Sequence, residues 1–299
     1  MGYVIISDGG CDLEQKYLLD NNLVIVPCYV SFDGNTYLRN YVDISVEEFY
    51  NKIKEENIFP RTSLPAVHDY YVVFEQLAKT GDKVLCICMT SNLSGSYQSA
   101  INAKDMILEK YQDAIIHIID SRVNTVLQGL LIQECVRLKK SGMEIETLIQ
   151  YIEGVKNTGR IYFAIGNMKL LSKGGRTQNL ARLVNIKVGI KPVLMLRDGE
   201  HHFVGMTRNR QKSIIKLLDA VCDYFKNTKK SPKEYLWVVG YGLDIEEANI
   251  LKEKLEEMLD IKSIVKIQRI GVIIASHTGP HPIGVAFMKK SDMLGGNNE

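Results

Sequence analysis

Short polar segments follow several apolar runs in the first half of the chain. Ser7-Asp8-Gly9-Gly10 follows the first run, residues 90–96 follow the run at 84–89, and Asp120-Ser121 closes a third. In an open α/β sheet, ligands bind beyond the carboxyl ends of the strands. Together with Thr62-Ser63-Leu64-Pro65, which precedes a predicted helix, these segments bring hydroxyl groups toward one crevice.

Ser94-Gly95-Ser96 is the most informative of these segments. Ser94 occupies the N-cap position of a predicted helix that runs to about Lys110. Gly95 has no side chain, so backbone N–H groups there can be approached closely. A helix N-terminus supplies unpaired donors and a partial positive charge. The segment therefore predicts a site for a carboxylate or a phosphate, and simple capping by Ser94 is the other interpretation.

Three motifs in the second half carry candidate chemistry. Lys173-Gly174-Gly175-Arg176 is a basic, glycine-rich loop without the spacing of a nucleotide-binding motif. Thr207-Arg208-Asn209-Arg210 places cations at the start of a predicted helix. His277-Thr278-Gly279-Pro280 forms a predicted turn after a strand at 271–276. There is no GxSxG, HExxH or EF-hand pattern, and we predict no metal site.

The composition is that of an ordinary folded protein. The chain has 299 residues, of which 45% are hydrophobic and 24% charged, and this length favours two domains. No apolar run approaches the ~20 residues of a membrane span, and the first run lacks a preceding basic segment. The six cysteines show neither CxxC nor zinc spacing. We therefore expect a cytoplasmic protein with free, buried thiols and no transmembrane segment.

Charge is distributed unevenly along the chain. Residues 1–158 hold 14 basic and 21 acidic side chains, whereas residues 159–299 hold 23 and 14. Residues 154–197 contain nine basic side chains and no acidic one. This pattern is typical either of a solvated face or of a surface that attracts anions. The aromatic residues of the run are confined to Tyr162-Phe163 and do not alternate with the basic ones, and no helix-turn-helix pattern accompanies it, so we predict no nucleic-acid binding.

The apolar runs predict an α/β fold. In the first half, strand-like runs, including 23–32 and 84–89, alternate with helices, as in a mostly parallel sheet with helices on both faces. The pattern changes at 157–160. Beyond it, Asp198-Gly199 predicts a hairpin within an α+β unit. We therefore predict an N-terminal α/β domain at 1–158 and a C-terminal α+β domain at 159–299.

Seven segments, taken in order, match the motifs of one bacterial family. In the first half they are Asp8-Gly9-Gly10-Cys11-Asp12-Leu13 (D-S-T-A-D-L), Thr62-Ser63-Leu64-Pro65-Ala66 (T-S-Q-P-S), Ser91-Asn92-Leu93-Ser94-Gly95-Ser96-Tyr97 (S-S-x-L-S-G-T-Y), and Asp120-Ser121 with Gln128-Gly129 (D-S-x₆-Q-G). In the second half they are residues 170–176 (L-x-x-G-G-R), Asn185-Ile186-Lys187 with Ile190-Lys191-Pro192 (L-N-I-K-P-I), and His277-Thr278-Gly279-Pro280 (H-T-G-P-G). The sequence thus resembles the DegV family of fatty-acid-binding proteins, which includes the binding subunits of fatty acid kinase systems.

The resemblance implies a two-domain protein with one long-chain fatty acid in a buried tunnel between the domains. By position, the residues implied in carboxylate binding are Thr62, Ser63, Ser94, Gly95 and His277. The residues implied in kinase docking or in support of phosphoryl transfer are Arg176 and Arg210. The bound fatty acid is the ligand, and no cofactor is implied.

The function implied is that of a carrier and not of an enzyme. It would present the fatty acid to a separate fatty acid kinase, which forms the acyl phosphate, with transient contact to a membrane surface. The alternative is a Ser-dependent acyl hydrolase or transferase with Ser94 as nucleophile and His277 as base. The chain departs from the family motifs at Gly9-Gly10-Cys11, Leu64 and His281.

Overall fold

The computed structural model describes residues 2–55, 58–165, 171, 174–176, 180 and 189–291. The strands, in chain order, are β1 (Tyr3–Asp8), β2 (Val24–Val26), β3 (Tyr29–Ser31), β4 (Leu38–Arg39), β5 (Arg61–Ser63), β6 (Lys83–Cys88), β7 (Ile116–Asp120), β8 (Arg160–Ala164), β9 (Lys191–Arg197), β10 (Glu200–Thr207), β11 (Tyr235–Tyr241), β12 (Lys266–Arg269) and β13 (Ile283–Lys289). The longer helices of the described ranges are α1 (Gln15–Asp20), α2 (Val46–Glu55), α3 (Val67–Thr80), α4 (Ser96–Lys110), α5 (Thr125–Lys140), α6 (Ile145–Val155), α7 (Arg210–Thr228), α8 (Ile245–Leu259) and α9 (Val272–Thr278).

The first sheet is parallel and has the order β2-β1-β6-β7. One face packs against α3 and α4, where Tyr70 and Phe74 meet Cys86 and Cys88 of β6. The other face packs against α5 and α6 in a separate, larger core. Alternate side chains of each strand therefore enter different cores, which explains why the strands are continuously apolar. The predicted fold class is confirmed.

A small antiparallel sheet with the order β4-β3-β5 lies beside the parallel one and carries Thr62 opposite Val30. The single strand predicted at 23–32 was wrong, because β2 joins the parallel sheet and β3 joins the small one. Pro27 separates the two strands and has no N–H to donate to a ladder. The backbone amide of Cys28 donates instead to the Asn40 side chain, at 2.8 Å.

The second sheet has the order β10-β9-β8-β13-β11-β12, and only its β11–β12 pair is parallel. The predicted hairpin at Asp198-Gly199 is present, with φ of 53° and 80°. One face of this sheet packs against α7 and α8. The other face contributes Ile161, Val238 and Ala286 to the core that contains α5. The two large sheets therefore share the layer of side chains around α5.

The segment predicted as a strand at 271–276 is the helix α9, so that prediction was wrong. Val272, Ile273, Ala275 and Ser276 are all buried, and the segment lacks the polar face that would show helical periodicity. A short, fully apolar run does not separate a buried strand from a buried helix. His277 consequently lies in the last turn of a helix and not in a turn after a strand.

Of the helices in the described ranges, none is both long and apolar enough to cross a membrane. The six cysteines form no disulfide; five are buried, and Cys222 is half-buried. Within the same ranges, the His, Cys, Asp and Glu side chains form no cluster of three or more that could hold a metal ion.

Candidate functional site

A cavity separates the carboxyl ends of the parallel strands from the inner face of the second sheet. It encloses about 930 Å³ between protein atoms, its open mouth included. Its described apolar lining consists of Cys28, Leu64, Met89, Leu93, Val126, Ile161, Phe163, Leu171, Leu196, Gly240, Ile270, Ile273, Ile274, Pro282 and Gly284. A mostly apolar lining with a few polar groups is typical of a site for an apolar small molecule.

Helix α9 supplies one wall of this cavity. Ile273, Ile274 and His277 of this helix line it, and Ile270 lies two residues before the helix begins. The spacing of three and four residues places the helical side chains on one face, so the wall is apolar along α9 until it reaches His277.

The polar wall begins where Thr62 meets His277. The Thr62 Oγ1 and His277 Nε2 atoms are 2.8 Å apart, although 215 residues separate the two in sequence. Ser63, Ser94 and Arg176 line the same cavity. The Arg176 guanidinium is close enough to affect the titration of His277. The structure thus brings together five of the seven residues that the family resemblance implies.

His277 is neutral in this setting. Burial, with a smaller contribution from the charge of Arg176, lowers its pKa to about 4. Its Nδ1 atom is buried and has no hydrogen-bond partner among the described residues. When Nε2 carries the proton and donates to Thr62 Oγ1, the Thr62 hydroxyl hydrogen is free to point into the cavity. The pair can therefore offer a hydroxyl donor to an anion without adding a second charge.

The prediction that Ser94 is the N-cap of α4 was wrong, because Gly95 occupies that position. The Ser94 Oγ atom accepts from the backbone amide of Ser96, at 3.2 Å, and no described residue accepts its hydroxyl hydrogen. Gly95 does not line the cavity and lies behind Leu64, whose nearest methyl is 3.4 Å from the position of a Cβ on Gly95. Ser94 therefore keeps a free donor at the cavity wall.

The two predicted arginines lie in different surroundings. Arg176 lines the cavity, where its Nε donates to the Leu93 carbonyl at 3.3 Å, and it has no carboxylate partner among the described residues. Arg210 does not line the cavity. Its guanidinium pairs with Glu247 and donates to the His281 carbonyl at 2.9 Å. Of the basic run, residues 166–170, 172–173, 177–179 and 181–188 lie outside the described residues.

The geometry does not assemble a serine hydrolase in the described part of the chain. His277 Nε2 contacts Thr62 and not Ser94, and no carboxylate orients the Nδ1 atom of His277. A Ser nucleophile needs a base within hydrogen-bond reach, and that base needs an orienting group.

Asp8 is buried beneath the site and holds the loops in place. Its carboxylate accepts from the amides of Gly10 and Met89, from the Ser96 hydroxyl and from Gln128 Nε2, at 2.7–3.1 Å. Burial raises the pKa of Asp8, and these four donors oppose that shift. Asp8 does not line the cavity, so its role here is to connect the ends of β1 and β6 with the helices α4 and α5.

The departure from the family motif at Gly9-Gly10 has a structural counterpart. A Cβ on Gly9 would overlap the Asn40 amide, which donates to the Gly9 carbonyl at 2.7 Å. At Gly10 a Cβ would lie 3.6 Å from Gln128 Oε1, which is buried and has no hydrogen-bond partner in the described ranges. In this chain the Asn40 side chain therefore occupies the space beside Gly9, whereas the Gln128 oxygen near Gly10 is left without a partner among the described residues.

Four further polar residues line the cavity and were not predicted as site residues from the sequence: Asn124, Thr125, His201 and Thr278. His201 Nδ1 is 3.1 Å from the Arg176 carbonyl, and burial lowers its pKa to about 4. The hairpin predicted at Asp198-Gly199 is the sequence signal that places His201 near the start of a strand. The structure adds that this residue faces the cavity.

The geometry can be compared with known proteins. The model of the DegV family, described as uncharacterised proteins, matches residues 3–290. The chain belongs to the DegV family. A DegV domain-containing protein of Clostridium perfringens is 31% identical over 288 residues, which cover 96% of this chain and 97% of the relative.

Solved DegV structures share the fold. A stearic-acid-binding protein from Eubacterium ventriosum is 39% identical, with a TM-score of 0.90 and coverage of 98% of this chain and 100% of the other. DegV of Bacillus subtilis, a fatty-acid-binding protein, is 23% identical with a TM-score of 0.82, covering 97% and 100% of the two chains. At the lower identity the likeness concerns the fold alone.

Proposed function

We propose that the protein binds one long-chain fatty acid in the cavity, with the carboxylate near Thr62 and His277. The observation that carries the proposal is an apolar cavity whose wall along α9 ends at the Thr62–His277 pair. The stearic-acid-binding relative at 39% identity supports it. Thr62 and Ser94 would donate their hydroxyls, and the backbone around Ser63 would complete the site. Residues 1–158 and 159–299 would form two domains that enclose the ligand.

The energetics favour such a ligand. Burying an acyl chain contributes about 0.8 kcal/mol per methylene, so about 16 carbons supply on the order of 10 kcal/mol before the costs of ordering. An unpaired carboxylate in the cavity would cost several kcal/mol. Hydroxyl donors and a neutral His277 reduce that cost, and Arg176 adds a positive potential from the wall.

We further propose that the protein presents this carboxylate to a separate fatty acid kinase and has no catalytic activity of its own. A carboxylate held by neutral hydroxyls keeps more electron density for attack on a phosphoryl group than one in a direct ion pair. Arg176 would stabilise the charge of the acyl phosphate, since no carboxylate of the described residues neutralises it. Arg210 would act at the kinase-facing surface, which requires that it leave Glu247 or act through that pair.

The test is the recovery of bound lipid. The purified protein is denatured, and the released fatty acids are counted by mass spectrometry; we expect about one per chain. Thr62→Val and Ser94→Ala each remove one hydrogen bond to a charged group, worth about 1.5–3 kcal/mol, so each should weaken stearate binding at least tenfold. Thr278→Val is the control, because Thr278 lines the cavity but donates to the Ile274 carbonyl at 2.9 Å. Full lipid content in the Thr62→Val, Ser94→Ala double variant would contradict the proposal.

A further inference from the structure

Asn124 is a polar side chain in the cavity wall with no hydrogen bond to any residue that the structure describes. It is only 8% exposed, and it lines the cavity. It stands at the N-cap position of α5, where an Asn side chain ordinarily accepts from the first turn of the helix. Here it makes no such bond. Its amide donors and acceptor are therefore left to whatever occupies the cavity.

The backbone around Asn124 explains why its amide is not used for capping. The next residue, Thr125, has a φ of 51°, which is rare for a β-branched residue. Its amide donates to the Gly10 carbonyl at 2.9 Å, and its hydroxyl donates to the Asp12 carboxylate. These contacts attach the start of α5 to the loop after β1, and they take up the polar groups of Thr125.

Asn124 lies at the start of α5, which is attached to the end of α9 opposite His277. Its neighbour Thr125 bonds Asp12, whose carboxylate lies beside Gly271 at the first turn of α9. His277 lies at the other end of that helix, about 9 Å further along at 1.5 Å per residue. Nearby, Val126 and Ile270 present apolar side chains to the cavity. An acyl chain whose carboxylate meets Thr62 and His277 would therefore pass Asn124 with its middle part.

We propose that the cavity takes long-chain fatty acids with a hydroxyl or keto oxygen part-way along the chain, and that the Asn124 amide recognises this oxygen. The inference rests on the proposed function, since it assumes a fatty acid in the cavity. A plain methylene chain would leave the buried amide unpaired, whereas a hydroxyl can pair with it as donor or acceptor and a keto oxygen as acceptor. A site with a buried polar group discriminates against an analogue that lacks the partner.

The other polar residues of the wall do not offer the same group. The Thr278 hydroxyl donates to the Ile274 carbonyl, and the Thr125 hydroxyl to Asp12. His201 bonds the Arg176 carbonyl. Asn124 thus differs from them in having its whole amide available to a ligand.

The experiment is a competition among stearic, 10-hydroxystearic, 12-hydroxystearic and 10-oxostearic acids for delipidated protein, measured by mass spectrometry of the bound fraction. We expect at least one oxygenated acid to bind about tenfold more tightly than stearic acid. In Asn124→Leu this preference should disappear, and stearic acid should bind more tightly than it does to the wild type. Met89→Leu, an apolar change in the same wall, should keep the preference.

The outcomes separate this inference from the function on which it rests. Tight stearic acid binding with no preference for any oxygenated acid would overturn the role of Asn124 and leave the carboxylate site intact. A preference that persists in Asn124→Leu would overturn it as well. If Asn124→Leu does not fold, as judged by circular dichroism, Asn124→Ala makes the same comparison. Failure of all four acids to bind would instead refute the proposed function.

Discussion

Replacing Asp12 with asparagine should remove a specific pH dependence of stability. Asp12 is buried; its carboxylate accepts from the Thr125 hydroxyl and lies beside the backbone of Gly271. Burial raises its pKa to about 7, against the opposing effect of the Thr125 hydrogen bond and the Gly271 amide. Asparagine has nearly the same shape as the protonated acid and does not titrate. The substitution therefore holds this site in its low-pH form.

The sign and size of the effect follow from the two pKa values. The pKa is about 7 in the folded protein and about 3.8 when the chain is unfolded. Unfolding between these values releases a proton, so rising pH favours the unfolded state. The stabilising contribution of Asp12 is complete below about pH 4 and is lost as the pH rises through about 7. A difference of about three pH units corresponds to about 4 kcal/mol.

Urea unfolding of the wild type and of Asp12→Asn, at intervals from pH 4.5 to 8, measures this contribution. Trp237, the single tryptophan, is buried in β11 and reports the second sheet, while far-ultraviolet circular dichroism reports the whole fold. We expect the wild type to lose stability relative to Asp12→Asn as the pH rises toward 7. Subtracting the two curves cancels the contributions of the other carboxylates. A flat difference curve, or one of opposite slope, would refute the assigned protonation of Asp12.

Three other predictions concern single residues. Gly10→Ser should raise the free energy of unfolding by about 1 kcal/mol, seen as a higher urea midpoint, because its hydroxyl can reach the unpaired Gln128 Oε1 and the unfolded chain loses freedom. This requires that the flexible Met89 side chain, 3.1 Å from the new Cβ, shift by a few tenths of an ångström. Arg210→Ala should leave the bound lipid unchanged while breaking the partly buried pair with Glu247, so the thermal midpoint should fall by about 2–4 °C without loss of fatty acid. A thiol reagent should modify at most Cys222 in the folded protein and all six cysteines after denaturation.

The neighbouring glycine provides the control for Gly10→Ser. A Cβ at Gly9 would overlap the Asn40 side chain, so Gly9→Ser should lower the urea midpoint. If both substitutions changed stability in the same direction, the unpaired Gln128 oxygen would not be the cause.

The alternation of strands and helices could be predicted because the parallel strands are apolar on both faces and the intervening segments have helical character. The errors occurred where neighbouring segments decide the structure. Residues 272–278 have the composition of a buried strand. They form a helix that is buried on most of its sides, so the segment shows no alternation of polar and apolar residues that would have indicated a helix. The run at 23–32 was divided by Pro27 between two sheets, a division that periodicity does not reveal.

The site was less accessible from local sequence than the fold. Thr62 and His277 meet across 215 residues, and only the match to family motifs connected them in advance. Arg210 carries a charge of the predicted kind, but Glu247 already pairs with it. Asn124 directly precedes a helix, where capping is the ordinary role of an asparagine. Its place in the cavity wall could not be predicted, because it depends on the unusual backbone conformation of Thr125.

The packing of the Asn40 amide over Gly9 constrains how this chain can change over evolution. The two residues are 31 positions apart in sequence, yet the Asn40 side chain occupies the volume that a side chain at position 9 would need. A homologue with Ser at position 9 would need a smaller residue than Asn at position 40, because either change alone produces an overlap or a void. The two positions should therefore covary among close homologues, with glycine accompanying asparagine.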